Sequence, residues 1–178
     1  HDAQSGAMVA ALAAPLAERG MKVGVLMGTA YLFTQEIVSS GAVVEGFQAE
    51  ALRCRRTLNL ESGPGHASRC VDTQFAHDCY DTRRRLIREG KSAEEIREVL
   101  EDLNLGRLRI ASKGVDRDDT GRVVDIAPEQ QRADGMYMIG QVATLRDHVV
   151  PVAQLHDDVC AGSQRALGVN QAGDGPHE

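Results

Sequence analysis

The sequence predicts an α/β protein, and three features that follow one another near its start predict this class. Residues 8–19 have the small and apolar composition of a helix, interrupted at Pro15 and ended by Gly20. Residues 23–27 are almost continuously apolar, which is typical of a strand buried on both faces of a parallel sheet. A turn at Gly28 then leads at once into another helix. This order of helix, buried strand and glycine turn is characteristic of α/β repeats.

A single strand of this kind cannot form a sheet by itself. The first 50 or so residues contain one strong candidate for a parallel strand, and a lone strand leaves both of its edges without hydrogen-bond partners. Either the neighbouring strands lie outside this chain, or residues 23–27 are not part of a sheet. Because the chain begins with His1 and not Met, we expect a processed product or a piece of a longer polypeptide.

The rest of the chain is predicted to be mostly helical. The most secure element begins at Ser92, which forms a capping box with Glu95 and is followed by apolar residues at helical spacing up to Gly106. No internal repeat is visible. The other expected elements are helices over 30–40, 43–56, 81–89, 135–145 and 149–167, an extended segment over 57–60, a loop over 61–66 and a polar turn over 116–122.

Composition excludes several classes of function. A net charge of −6, with basic residues only in short runs, argues against a nucleic-acid-binding protein. No apolar run reaches about 18 residues, so no membrane span is predicted. The four cysteines are too scattered for a disulfide framework or a zinc site. Free thiols of this kind are typical of a reducing cytoplasm, and we expect a cytoplasmic protein.

The turn after the predicted strand is a candidate anion site. A strand that changes directly into a helix leaves backbone N–H groups free at the positive end of the helix dipole. Gly28 has no side chain to block a phosphate, and Thr29 adds a hydroxyl donor. The local sequence alone leaves open that this is only a tight turn.

Three segments resemble the C-terminal part of the nitronate monooxygenase (2-nitropropane dioxygenase) family, whose fold is shared by the flavin-dependent enoyl-ACP reductases. The similarity is greatest to members found with polyketide and polyunsaturated fatty acid synthases. The segments occur in the family's order and are VLMGTAYL (25–32), GPGHASR (63–69) and MIGQVA (138–143). They resemble, respectively, the last barrel strand with its Gly-Thr turn, the loop after the barrel, and a small-residue helix that closes over the site.

The resemblance implies the C-terminal portion of an FMN-binding (β/α)8 TIM barrel plus a mostly helical cap region. It implies a division into the last βα units of the barrel (residues 1–60), a helical cap (61–127), closing helices that pack on the barrel (128–168) and a flexible tail (169–178). The remainder of the barrel or a sister domain would supply most flavin contacts and the catalytic residue. We therefore expect this chain alone to bind FMN weakly or not at all.

The resemblance also assigns cofactor-binding residues. Gly28 and Thr29 match the position that contacts the FMN phosphate, with Met27 adjacent to them. Gly140 and Gln141 are implied to approach the flavin or the substrate pocket. No catalytic residue is identified in the chain, and no metal site is expected.

The function implied by the resemblance is that of a segment of an FMN-dependent oxidoreductase. The enzyme would either oxidise a nitronate-like small molecule with O₂ or reduce a carrier-bound acyl thioester with NAD(P)H as the electron donor, in polyketide or fatty acid biosynthesis. An alternative is a non-catalytic docking module that binds a carrier protein or a sister subunit. A phosphate-binding barrel of the inosine-monophosphate dehydrogenase type ranks lower, because that family's catalytic cysteine loop is not visible.

Three histidine-containing clusters have a functional and an ordinary interpretation, and the ordinary one is favoured for each. His66, next to a glycine turn, is either an acid–base group or a loop residue. Residues 77–79 (His-Asp-Cys) suggest a nucleophile and base, but sequence neighbours on a helix do not face each other. Residues 156–158 (His-Asp-Asp) suggest metal ligands, but no partner at helical spacing completes the site.

Overall fold

The computed structural model describes residues 1–168 and has a mixed α/β architecture that is mostly helical, with a few short strands. The tail predicted for 169–178 lies outside the described residues. The helices are α1 (Ala3–Ala17), α2 (Gln35–Ser39), α3 (Glu45–Arg53), α4 (Gln74–Arg88), α5 (Ala93–Asn104), α6 (Arg107–Lys113), α7 (Pro128–Asp134), α8 (Val152–Val159) and α9 (Ala161–Ala166), with 3-10 helices at Thr29–Phe33 and Gln141–Leu145. Within residues 1–168, no helix has the length and apolarity needed to cross a bilayer.

The strands form two antiparallel hairpins. β1 (Thr57–Gly63) pairs with β2 (His66–Val71), and β3 (Val115–Arg117) pairs with β4 (Val123–Asp125). Residues 61–66, predicted as a loop, therefore contribute mainly to strands, and the turn itself is only Pro64 and Gly65. Gly65 has a φ of 78°, a conformation that glycine adopts without strain.

An extended segment packs along the free edge of β2. The N–H of Val71 donates to the carbonyl of Tyr137 at 2.9 Å, and the N–H of Ile139 donates to the carbonyl of Arg69 at 3.0 Å. The prediction of a helix over 135–145 is therefore wrong: its first half is extended, and its second half is the 3-10 helix Gln141–Leu145. Tertiary pairing with a strand edge overrides the local helical pattern here.

The largest core cluster lies between α3, the first 3-10 helix and this extended segment. Phe47 and Tyr137 pack with their ring centroids 5.2 Å apart, and the buried Tyr137 hydroxyl donates to the carbonyl of Gln131 at 2.9 Å. The cluster comprises Phe33, Val43, Phe47, Ala51, Cys54, Val71, Ala111, Tyr137, Ile139 and Ala143. Because Phe33 belongs to the first 3-10 helix and Ala143 to the second, this cluster packs the two 3-10 helices against each other.

Residues 23–27 do not form the predicted buried strand. They have no regular secondary structure, and the Leu26 side chain is 99% exposed. No strand within residues 1–168 pairs with them. An apolar segment without a neighbouring strand has neither a hydrogen-bonding edge nor a layer that can bury its side chains, so the predicted element is absent from this chain by itself.

Several other boundaries differ from the prediction for local reasons. α1 continues through Pro15, where the sequence predicted an interruption. Gly20 ends the helix as predicted, and the N–H of Met21 donates to the carbonyl of Leu16 across this turn. The helix predicted from Ala30 is instead the first 3-10 helix followed by α2. The last helix is divided at Cys160 into α8 and α9.

The predicted capping box of α5 is confirmed. The Ser92 hydroxyl accepts from the N–H of Glu95 at 3.3 Å, and the Glu95 carboxylate accepts from the N–H of Ser92 at 2.8 Å. Hydrogen bonds from Lys91 and Ser92 lower the pKa of Glu95 to about 2. The helix therefore begins where the sequence indicates.

We expect Ser92→Ala to lower the free energy of unfolding by about 1 kcal/mol, because an N–H of the first turn of α5 loses its acceptor. Urea denaturation followed by circular dichroism measures this change. Ser39→Ala is the matched control, since Ser39 is exposed at the end of α2, and it should change stability by less than about 0.5 kcal/mol. An equal loss in both variants would contradict a specific role for the cap.

Candidate functional site

A direct hydrogen bond joins two of the predicted site segments. The N–H of Gly140 donates to the Thr29 hydroxyl oxygen at 2.7 Å, although the two residues are 111 positions apart. Thr29 begins the first 3-10 helix, and Gly140 directly precedes the second. Because the hydroxyl oxygen accepts this bond, its own proton is free to be donated to another group.

Gly140 must be small for this contact to form. A Cβ atom at residue 140 would lie 2.8 Å from the Thr29 hydroxyl oxygen, closer than real Cβ contacts. Thr29 is half-buried, and its hydroxyl oxygen would have to shift to admit that atom. The glycine therefore allows a close approach of backbone to side chain.

The third segment of the sequence resemblance lies beside the other two. The backbone of Ile139 bonds to Arg69, and Met138 forms an antiparallel bridge with Cys70 at the end of the segment 63–69. Gly140, the next residue along the chain, then contacts Thr29. The extended segment is thus bonded to the hairpin on one side and to the glycine-threonine turn on the other.

The groups at this turn fit one end of a flavin nucleotide, the phosphate. Gly28 is exposed, and a Cβ atom there would meet nothing within 4 Å, so the approach to the turn is open. The Thr29 hydroxyl proton and the first N–H groups of the 3-10 helix are donors, which is the chemistry that a phosphate requires. The first 3-10 helix has only five residues, so its dipole contributes little to the attraction of an anion.

Met27 and Gln141 occupy different surroundings from this turn. Met27 is half-buried and lines an open groove of 660 Å³ beside α1 and α9, whereas Gly28, Thr29, Gly140 and Gln141 do not line this groove. Gln141 is exposed at the start of the second 3-10 helix. The predicted site residues therefore contain one compact pair, Thr29 and Gly140, which lies outside this groove.

The histidines take part in contacts that the sequence did not reveal. His77 Nε2 lies 2.7 Å from Asp72 Oδ1, not near Asp78 or Cys79, and Arg56 donates to Asp72 Oδ2 at 2.6 and 2.9 Å. Asp72 follows β2 directly, and His77 is in the first turn of α4. The contact between Asp72 and His77 therefore joins the hairpin to the helix, which is a structural role.

Two further contacts are visible only in three dimensions. His156 Nε2 lies 2.8 Å from the Tyr31 hydroxyl and connects α8 to the first 3-10 helix, and His66 Nδ1 lies 3.5 Å from Glu101 Oε1. No local pattern in the sequence signals either pair, because the partners are far apart along the chain.

Among residues 1–168, no group of three or more histidine, cysteine or acidic side chains is arranged to hold a metal ion.

The buried cysteines are not activated. Burial is the main factor that raises the pKa of Cys70 to about 12 and that of Cys79 to about 11. Both thiols therefore stay protonated near neutral pH, and a protonated thiol is a poor nucleophile.

Comparison with known proteins gives limited similarity. The chain matches no protein-family model and no curated protein. Among solved structures it is similar to a mutant of FabK from Thermotoga maritima, at 20% identity over 80% of this chain and 34% of that chain, with a TM-score of 0.49. A second structure of the same FabK matches at 21% identity over 71% of this chain and 33% of that chain, also with a TM-score of 0.49. This chain thus spans about a third of the FabK chain, and a similarity at this level establishes neither a shared fold nor a shared activity.

We expect Gly140→Ala to lower the free energy of unfolding by about 1–3 kcal/mol, because its methyl group overlaps the Thr29 hydroxyl oxygen. In a Thr29→Ala background the same substitution should cost at least about 0.5 kcal/mol less, since the overlapping atom is gone. A double-mutant cycle by urea denaturation measures this coupling. Additive effects would contradict the contact.

The Asp72 ion pair gives a pH-dependent prediction. Partial burial alone would raise the pKa of Asp72, but Arg56 and His77 outweigh this effect and lower the pKa below its ordinary value. At pH values above the pKa of Asp72 in the unfolded chain, the ionised carboxylate therefore stabilises the folded state. This stabilisation is lost as the pH falls through the lower pKa of Asp72 in the folded state. Asp72→Asn should lower the free energy of unfolding by up to about 1 kcal/mol at neutral pH, with the difference from wild type shrinking below about pH 4.

Chemical denaturation at a series of pH values measures this difference. Asp81→Asn is the control, because the Asp81 side chain is 76% exposed and lies 3.6 Å from Arg84. It should show little change at any pH. A difference for Asp72→Asn that persists unchanged in acid would contradict the role of the ionised carboxylate.

Proposed function

We propose that this chain is a segment of an FMN-dependent oxidoreductase and that it contributes the phosphate end of the flavin site. The observation that carries the proposal is the meeting of the three resemblance segments. Residues 25–32, 63–69 and 138–143 resemble one family in order, and the hydrogen bonds of Gly140 and Ile139 connect all three. Segments that are distant in sequence but adjacent in space are typical of a binding site.

The proposed roles follow from the donors at the turn. The Thr29 hydroxyl and the backbone N–H groups after Gly28 bind the phosphate, and Gly140 holds the Thr29 oxygen so that the hydroxyl proton is directed elsewhere. Bound FMN would supply the electron-transfer chemistry. Met27, which precedes this turn in the sequence, and Gln141, which follows Gly140, are proposed to approach the cofactor or the substrate pocket.

The substrate is proposed at the level of class. The resemblance favours a carrier-bound acyl thioester reduced with NAD(P)H, with a nitronate-like small molecule oxidised by O₂ as the other possibility. Residues that bind the flavin ring and the catalytic residue would come from the remainder of the barrel or from a sister domain.

The alternative function is a docking module without catalysis, and one observation favours it. The α1 helix and residues 21–27 expose several large apolar side chains, which is common at interaction surfaces. The two functions respond differently to Thr29→Val. Flavin binding should be weakened in this variant, whereas binding to a carrier protein or a sister subunit should be unchanged.

We expect FMN at millimolar concentration to shift the backbone amide signals of residues 28–30 and of Gly140 in NMR spectra of the full chain. Because the phosphate makes the contact, inorganic phosphate should shift the same signals and riboflavin should not. Thr29→Val should weaken FMN binding about fivefold or more, consistent with the loss of one hydrogen bond to a charged group.

Thr144→Val is the matched control, since the Thr144 hydroxyl bonds to the carbonyl of Gln141 on the exposed side of the second 3-10 helix. This variant should bind FMN as the wild type does. Equal shifts with FMN and riboflavin, or FMN shifts that are unchanged in Thr29→Val, would overturn the assignment of the phosphate site.

A further inference from the structure

We infer that the cleft between β1, α4 and α5 binds a carboxylate group, which belongs either to a small free acid or to an acidic side chain of a peptide. The cleft has a volume of 70 Å³ and is lined by residues 59–62 of β1 and by residues of both helices. None of these residues belongs to the glycine-threonine turn or to the extended segment 136–140. The inference therefore goes beyond the proposed function and does not depend on it.

One charged side chain at this cleft has no counter-ion. It belongs to a run of three consecutive arginines in α4. Arg84 lies 3.6 Å from Asp81, and Arg85 lies 3.1 Å from Glu89. Arg83 has no acidic partner of this kind within residues 1–168, and it is the member of the run that lines the cleft. A guanidinium group without its own carboxylate favours the binding of an anion beside it.

A backbone donor at the outer edge of β1 lies at the same cleft. The Tyr80 hydroxyl donates to the carbonyl of Asn59 at 3.0 Å, so Asn59 directs its backbone groups away from β2. Every second residue of a strand directs its backbone groups to the same edge, so the N–H of Glu61 also points outward. No strand within residues 1–168 pairs with that edge, which leaves this N–H as a second donor. The Glu61 side chain lies on the sheet face opposite to Leu60, which is packed against α4, so its carboxylate points away from the helices.

The third donor is the side-chain amide of Asn104. Its Oδ1 atom accepts from Cys79 Sγ at 3.7 Å. Burial raises the pKa of Cys79 to about 11, so the thiol stays protonated and can donate. This contact leaves Nδ2 as the free end of the amide, and Asn104 lines the cleft. Donors from three different elements therefore border one small space.

The size and the surroundings of the cleft favour a carboxylate over larger anions. Its volume is about half that of the ~150 Å³ cavity that holds benzene, so it admits a group of about four heavy atoms. A carboxylate fits this space, whereas a flavin ring or a nucleotide does not. Leu60, Cys79 and Leu100, which are 3–6% exposed, give the cleft an apolar lining. Hydrogen bonds to an anion are stronger where the surroundings exclude water.

The test uses the full chain, labelled for NMR, with sodium acetate as the probe and sodium chloride at equal ionic strength as the reference. Because all three donors belong to this chain, acetate should give saturable shifts of the Glu61 backbone amide and the Asn104 side-chain amide. Acetamide, an uncharged molecule of the same shape, should not. Arg83→Gln should weaken acetate binding about tenfold, which corresponds to the loss of one hydrogen bond between charged groups.

Arg84→Gln is the matched control, because Arg84 is the next residue of α4, is exposed and does not line the cleft. This variant should bind acetate as the wild type does. A glutamate blocked at both ends, whose only charge is its side-chain carboxylate, distinguishes the two sources of the ligand. Tighter binding than acetate assigns the site to a peptide side chain, and equal or weaker binding assigns it to a free acid.

Three results would overturn the inference. The first is the absence of a saturable shift with both acetate and the blocked glutamate. The second is an equal shift with acetamide or with chloride, which would show that no carboxylate is recognised. The third is acetate binding that is unchanged in Arg83→Gln.

Discussion

The extended segment from Met136 to Gly140 is the element on which the arrangement of the other parts depends. Its N–H and carbonyl groups bond to α6 through Arg107, to β2 through Arg69 and Val71, and to the first 3-10 helix through Thr29. Helices bond mainly within themselves, so they cannot make such connections with their backbone. The backbone groups of an extended segment remain free to form hydrogen bonds with neighbouring elements, and this segment forms them with three different elements.

The same segment shows why part of the fold could not be predicted. Ser92, Gly20 and Gly106 end or begin elements through local chemistry, and the prediction was confirmed at each of them. Residues 135–145 contain apolar residues at a spacing compatible with a helix, and no local feature indicates that the edge of β2 will pair with them. The outcome is decided by a strand edge about 70 positions earlier in the chain.

The candidate site shows the same limit. Gly28, Thr29 and Gly140 were identified from the resemblance, but the hydrogen bond from Gly140 to Thr29 was not predicted. The sequence contains no pattern that indicates which side chain accepts from a particular backbone N–H. His77 was compared with its neighbours Asp78 and Cys79, whereas its partner is Asp72, across the N-terminus of α4. Sequence proximity suggests candidates for chemistry, but the helical turn determines which side chains meet.

The exposed segment and the glycine-threonine turn are connected, since residues 23–27 end directly at Gly28. Fixing the backbone of each unpaired residue costs about 1–2 kcal/mol of conformational entropy. If the proposed phosphate binding at this turn also fixes residues 23–27, which have no regular secondary structure, this cost lowers the observed affinity. Weak phosphate binding by the isolated chain is therefore the outcome that the proposed function leads us to expect, because no strand within residues 1–168 pairs with residues 23–27.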